Sequence, residues 1–176
     1  AHKYLTYTNY LAGDYLDDPV SNLALKMLSK DDGVIITDER LHKYIRKTYP
    51  KLKTKASVVK ITKEQPNKRS AEYYNQLLDR YDYILLHPDD NTDLNLITQI
   101  KDLSRVEVLI DERCTKNCRV RDLHYNVNAQ YNLPIEDRDN DIMEQEGTLW
   151  SKYCPRVKAI VLKNGKEKLD ILVNTL

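Results

Sequence analysis

The stretch "DERCTKNCRVRDLHY" gathers two cysteines, three arginines and a histidine within residues 111–125, directly after the apolar run "VEVLI". Cys114 and Cys118 have C-x3-C spacing, and Arg121 and His124 follow at near-helical intervals. A third thiol, Cys154, comes much later in the chain. Three thiolates can hold an iron–sulfur cluster with one open iron, or zinc with His124 as the fourth ligand. The competing reading is two semi-exposed loop thiols and one buried thiol in "KYCPRV", with His124 a structural hydrogen-bonding residue. Radical enzymes that cleave S-adenosylmethionine need a further cysteine where this chain has Arg121, which weighs against that chemistry. If 117–127 is helical, Arg121 and His124 share a face and can meet one anion together.

A second cluster is "HPDD" at 87–90, a histidine with two carboxylates. It could bind a divalent cation or move protons. It could equally be a helix start, with Asp90 or Asn91 as N-cap. The acidic stretch "IEDRDNDIMEQE" (135–146) lacks the central glycine and ligand spacing of a calcium loop and reads as a solvated loop. No Gly-rich phosphate loop, G-x-S-x-G or H-E-x-x-H occurs.

These residues are positioned by an alternation of short β-type runs and helical stretches. Strands are expected at 4–8, 33–37, 56–62, 83–87, 105–110 and 158–162. Helices are expected near 21–30, over 38–49 with Asp38 as N-cap, over 70–81, near 93–103, and from about 167. Helical crossovers between strands imply parallel pairing. The fold class is therefore α/β: a (β/α) barrel of TIM type, or a partial barrel of about six β/α units, with an open doubly wound sheet as the alternative. The chain is expected to form one domain over 1–176, with 111–157 as an inserted loop. In either architecture chemistry collects beyond the carboxyl ends of the strands. Those ends carry Thr8 and Asn9, Thr37 and Asp38, His87 with Asp89 and Asp90, Asp111 and Glu112, and Asn164.

Twenty-eight basic residues against 27 acidic leave a formal charge of +1, so charge does not indicate a nucleic-acid or membrane partner. The local run Lys43, Arg46, Lys47, Lys51, Lys53 and Lys55 reads as a solvated helix face and its following turn. No apolar stretch reaches the length of a membrane span, and no signal-peptide pattern opens the chain. An odd cysteine count argues against a secreted disulfide framework, so a cytoplasmic location is expected. The start at Ala1, without an initiator Met, reads as a processed or trimmed end.

The segments "TYTNYLAGDYLDDPVSNLAL", "GVIITDERLHKYIRKTYPKLK", "YDYILLHPDDNTDLNLITQIKD" and "VEVLIDERCTKNCRVRDLHY" resemble a set of uncharacterised TIM-barrel proteins of bacteriophages and some bacteria. These carry a C-x3-C-x2-R-x2-H-Y motif and are distantly similar to the collagenase-like peptidase family. That family includes iron–sulfur proteins of RNA-base and ubiquinone-precursor hydroxylation. The resemblance implies a cluster on Cys114, Cys118 and Cys154, with Arg121 and His124 orienting an anionic substrate and Asn9, His87 and Asp89 lining the same face. A full eight-stranded barrel is longer than this chain, and the hydroxylation proteins use four cysteines. The second expectation is accordingly a binding or structural component of a larger assembly, with unliganded cysteines. Its open strand edges would be covered by a protein partner or by a missing N-terminal segment.

Overall fold

The computed structural model of the chain describes residues 2–110 and 114–154. By its contacts the chain divides into two compact units, Ala1–Ile110 and Asp111–Leu176.

The first unit runs β1 (Tyr4–Tyr7), α1 (Pro19–Lys26), β2 (Gly33–Ile36), α2 (Glu39–Thr48), β3 (Lys53–Ala56), α3 (Val58–Glu64), α4 (Ala71–Arg80), β4 (Tyr83–Leu85), α5 (Leu94–Ile97) and β5 (Val106–Glu107). The five strands form one sheet in the order β1-β2-β3-β4-β5, and every neighbouring pair is parallel. The α/β class and the parallel pairing therefore hold. Among the described residues strand order follows chain order. With crossovers of one hand, such an order lays all the helices on one face.

Strand alternation and register show which face that is. Leu5 and Tyr7, Val34 and Ile36, Thr54 and Ala56, and Ile84 share one side. There Val34, Ile36, Ala56 and Ile84 pack with Leu25 of α1, Leu41 and Ile45 of α2, Ile61 of α3, and Tyr74, Leu77 and Leu78 of α4. Full burial of each such aliphatic side chain stabilises the unit by about 1.5–3 kcal/mol. The opposite face presents Tyr4, Thr6, Ile35, Lys55, Tyr83, Leu85 and Glu107. Thr6 and Glu107 are exposed, and Tyr4, Ile35, Tyr83 and Leu85 are half-buried. All-parallel sheets normally bury both faces, so this mixed, half-buried side is unusual.

Two local expectations are corrected. The third strand is Lys53–Ala56 rather than 56–62, and the run "VVKITKE" is helix α3. The Ser57 hydroxyl accepts the Lys60 N–H at 3.0 Å, which starts that helix immediately after the strand. The strand looked polar because its charges are matched across the fold. Lys55 Nζ lies 2.5 Å from Glu107 Oε2 and 3.9 Å from the centroid of the Tyr4 ring. Thr54 donates its N–H to Asp82 at 2.9 Å. Lys55, expected on a solvated face, is only 4% exposed.

The second unit holds α6 (Arg121–Tyr131) and α7 (Asn140–Tyr153), packed against each other. The acidic stretch expected as a loop is mostly helix. Asp139 caps α7 by accepting the Ile142 N–H at 3.0 Å, so the acids that follow lie where the helix dipole favours them. The strand expected at 158–162, with Asn164, lies outside the described residues, as do Asp111 and Glu112. Among the described residues no helix is long and apolar enough to cross a membrane.

Candidate functional site

At the carboxyl ends of β1 to β4 the chain turns into polar side chains, and in the structure these are densely paired. Beyond β4, Asp90 accepts two hydrogen bonds from the Arg69 guanidinium, from Nε and Nη2, each at 2.8 Å. It accepts a third from the Tyr74 hydroxyl at 2.6 Å. The same hydroxyl accepts the His87 N–H at 3.2 Å, which ties α4 to the strand end. Arg69, Tyr74, His87 and Asp90 are all buried. Burial pushes the Asp90 carboxyl upward, but the Arg69 and Tyr74 hydrogen bonds outweigh it and hold the group below the usual range. Burial, helped by the adjacent Asp90 carboxylate, drives the Tyr74 phenol far above its ordinary range. Asp90 is thus a fixed anion inside a saturated network, and it is a poor candidate for a proton-transfer group.

His87 is 1% exposed, and its Nδ1 accepts the Asp89 N–H at 3.2 Å. A ring accepting at Nδ1 carries its proton on Nε2 when neutral. The Asp89 carboxylate lies 3.6 Å from Nδ1 and 4.0 Å from the Arg69 guanidinium. His87 and Asp89 are therefore brought together. Asn9 follows β1, which two intervening strands separate from β4 in the sheet order. Its Oδ1 accepts the Leu11 N–H at 2.9 Å, an Asx-type turn that leads the chain away from the strand.

Between β2 and β3 the strand ends carry Thr37 and Ser57, whose buried hydroxyls are 2.5 Å apart. Asp38 caps α2 as expected, accepting the Arg40 N–H at 2.6 Å, and it also accepts the Gly13 N–H at 3.1 Å. A recess of about 320 Å³ opens here, lined by Tyr10, Asp38, Glu39, Arg40, Lys60 and Lys63 among others. Its charges neutralise one another. Lys60 reaches Glu64 at 2.7 Å and Glu39 at 3.4 Å, and Arg80 also pairs with Glu39. Burial raises the Glu39 carboxyl, but Lys60 and Arg80 outweigh it and hold the group low. His42 stacks on Tyr81 with ring centroids 4.0 Å apart and leaves Nε2 buried without a partner. Burial holds this imidazole below its ordinary value, only partly offset by Glu39.

The cysteine region belongs to the second unit. Asn117 takes a left-handed φ of 55° in the loop before α6, a conformation asparagine tolerates. Arg121 is buried at the first turn of α6 and donates to the Thr115 carbonyl at 3.2 Å, holding that loop to the helix. His124 stacks on Trp150 of α7, nearly parallel, with centroids 4.7 Å apart. Cys154 is buried with Val120, Val127 and Trp150, and Cys118 packs against that cluster, whereas Cys114 is half-buried. Two of the three thiols thus reach one apolar cluster. Among the described residues no group of three or more His, Cys, Asp or Glu side chains is placed to hold a metal ion.

Sequence reasoning missed Arg69 and Tyr74, which organise the β4 end. Arg69 precedes the N-cap Ser70 in an unremarkable polar loop, and its partner lies 21 residues away. Only the helical spacing of Tyr74 was visible, and that marked it as core. No protein family, no curated protein and no solved structure matches the chain.

Proposed function

We propose that the chain is a partial (β/α) barrel of TIM type that serves as a cytoplasmic binding or structural component of a larger assembly. The observation that carries this reading is the single-direction winding of the sheet. Five parallel strands in chain order, with helices on one face, have the construction of a barrel wall. Such a wall has two open edges, β1 and β5, each with one strand neighbour among the described residues. The face opposite the helices is mixed in polarity and mostly half-buried or exposed. Open edges and an incompletely buried face of a parallel sheet call for a covering segment, and a partner supplies one. The carboxyl end of the sheet supports the same reading, because Asp38, Glu39 and Asp90 there are committed to Arg40, Lys60, Arg80 and Arg69. The similarity to phage-type barrel proteins is part of this proposal.

A second reading keeps the cysteines as holders of an iron–sulfur cluster, or of zinc with His124, with Arg121 and His124 near an anionic substrate. It is favoured by the meeting of Cys118 and Cys154 in one apolar cluster. It also requires Cys114 to join them.

The two readings separate in one experiment. The full chain and its Cys114→Ser/Cys118→Ser form are purified anaerobically, then compared for iron, sulfide and zinc content and for mass by light scattering. The assembly reading expects equal masses above that of one chain and no stoichiometric metal in either form. Iron and sulfide at cluster stoichiometry, lost on substitution, would overturn it.

A further inference from the structure

At the amino end of the sheet a recess of about 390 Å³ lies between the C-terminal ends of α1 and α2. Its walls include Leu25, Leu28, Tyr49, Pro50 and Leu52, and its charged lining residues are Lys26, Lys30 and Lys51. No carboxylate lines it. The three lysines are exposed, and none makes an ion pair among the described residues. Beside it Leu23 and Met27, 61% and 76% exposed, extend the apolar surface along α1. Lysines in the last turn of a helix suit its dipole, but that accounts for neither the apolar recess nor the exposed stripe.

The complementary surface is on the same chain. The segment 134–144 carries Glu136, Asp141 and Glu144, all exposed and outside any ion pair among the described residues. Its one base, Arg138, is turned to the backbone, donating to the Leu133 carbonyl at 3.0 Å and the Tyr131 carbonyl at 2.9 Å. Among these acids Ile135 projects, 78% exposed. We infer that the lysine-rimmed recess of one copy receives the acidic segment 134–144 of a second copy, with Ile135 entering the apolar recess and the carboxylates meeting Lys26, Lys30 and Lys51. An apolar anchor within a charged rim is the construction of a specific interface. The two surfaces differ, so the contact is heterologous and builds rings or open chains. A lipid surface is the poorer fit, because Asp17 and Asp18 stand at the other end of α1 and would face an anionic bilayer along the same stripe.

This inference rests on the assembly reading and names one of its contacts. The test uses full-length chain, with circular dichroism to verify folding and light scattering to read mass. One variant carries Lys26→Glu, Lys30→Glu and Lys51→Glu, and the other carries Glu136→Lys, Asp141→Lys and Glu144→Lys. Each alone faces like charge across the contact, so its association weakens by about tenfold or more. An equimolar mixture restores opposite charges at every contact and regains the wild-type mass. Ile135→Ser, which leaves the charges in place, also weakens association. If wild type assembles but the reversals leave its mass unchanged, or the mixture stays at the mass of one chain, the docking inference falls and the assembly reading stands. A wild type that remains a single chain at every concentration brings down both.

Discussion

The two ends of the sheet treat charge in opposite ways. At the carboxyl end Asp90 takes three hydrogen bonds, Glu39 faces two cations, and Asp38 is shared between a helix cap, Arg40 and the backbone of Gly13. At the amino end Lys26, Lys30 and Lys51 surround an apolar recess with no carboxylate among its lining residues. Parallel α/β proteins usually place chemistry at the carboxyl end. Among the described residues these acids of the carboxyl end are locked into pairs, whereas the three recess lysines at the amino end are not. A saturated network offers an incoming ligand nothing without breaking an existing pair, whereas unpaired cations beside apolar surface are available at little cost.

The comparison breaks most readily at Asp90. Asp90→Ala strands the Arg69 guanidinium in a buried site, and removal of one partner from such a pair costs about 3–5 kcal/mol. Denaturant unfolding of the variant measures it, and a loss below about 1 kcal/mol would show that the lock is an ordinary surface pair.

Packing is what the amino end depends on. A Cβ on Gly33 would lie 2.7 Å from the Lys53 carbonyl oxygen, a backbone atom of the neighbouring strand. Gly33→Ala therefore costs about 1–3 kcal/mol, read from the thermal midpoint.

A smaller effect sharpens the picture by pH. His42 is buried with its folded-state affinity for protons below the unfolded value of about 6.5. The unfolded chain then binds more protons, so stability rises with pH. His42's contribution is complete above the unfolded value and is lost as pH falls below it. Glu39 and Asp90, held low, lose their contributions in the same direction but only in the acid range of carboxylates. His42→Gln should flatten the stability profile just below about pH 6.5 while leaving the steeper acid loss in place. An unchanged slope would remove His42 from the account.

The smallest effect is expected at the recess itself. Lys51→Ala should change the unfolding free energy by less than about 0.5 kcal/mol, because the residue is exposed and unpaired. A larger loss would make the lysines structural and weaken the contrast with the carboxyl end.

The sequence made some of this legible and hid the rest for physical reasons. Helices α2 and α4 were readable because their apolar spacing, and at α2 the N-cap Asp38, are local signals. The parallel sheet followed from the alternation of elements. β3 was hidden because "KTKA" is a strand only by virtue of Glu107 and Asp82, partners distant in sequence. The clustering of His87 with Asp89 was visible as "HPDD", whereas the Arg69 clamp that fixes its neighbour was not. The basic run near α2 looked like one solvated face. In the structure it divides, with Arg46 and Lys53 on Asp82, Lys55 on Glu107, and Lys51 joining Lys26 and Lys30 at the recess. Only tertiary contacts separate a paired lysine from a free one.

The most direct measurement of the central claim is the mass of the full chain in solution, by light scattering, over a range of protein concentration and salt. An assembly component held by charged contacts has a mass above the 20.7 kDa of one chain at low salt, falling toward it as salt screens the lysine and carboxylate surfaces. A mass of one chain at every concentration and salt would contradict the account.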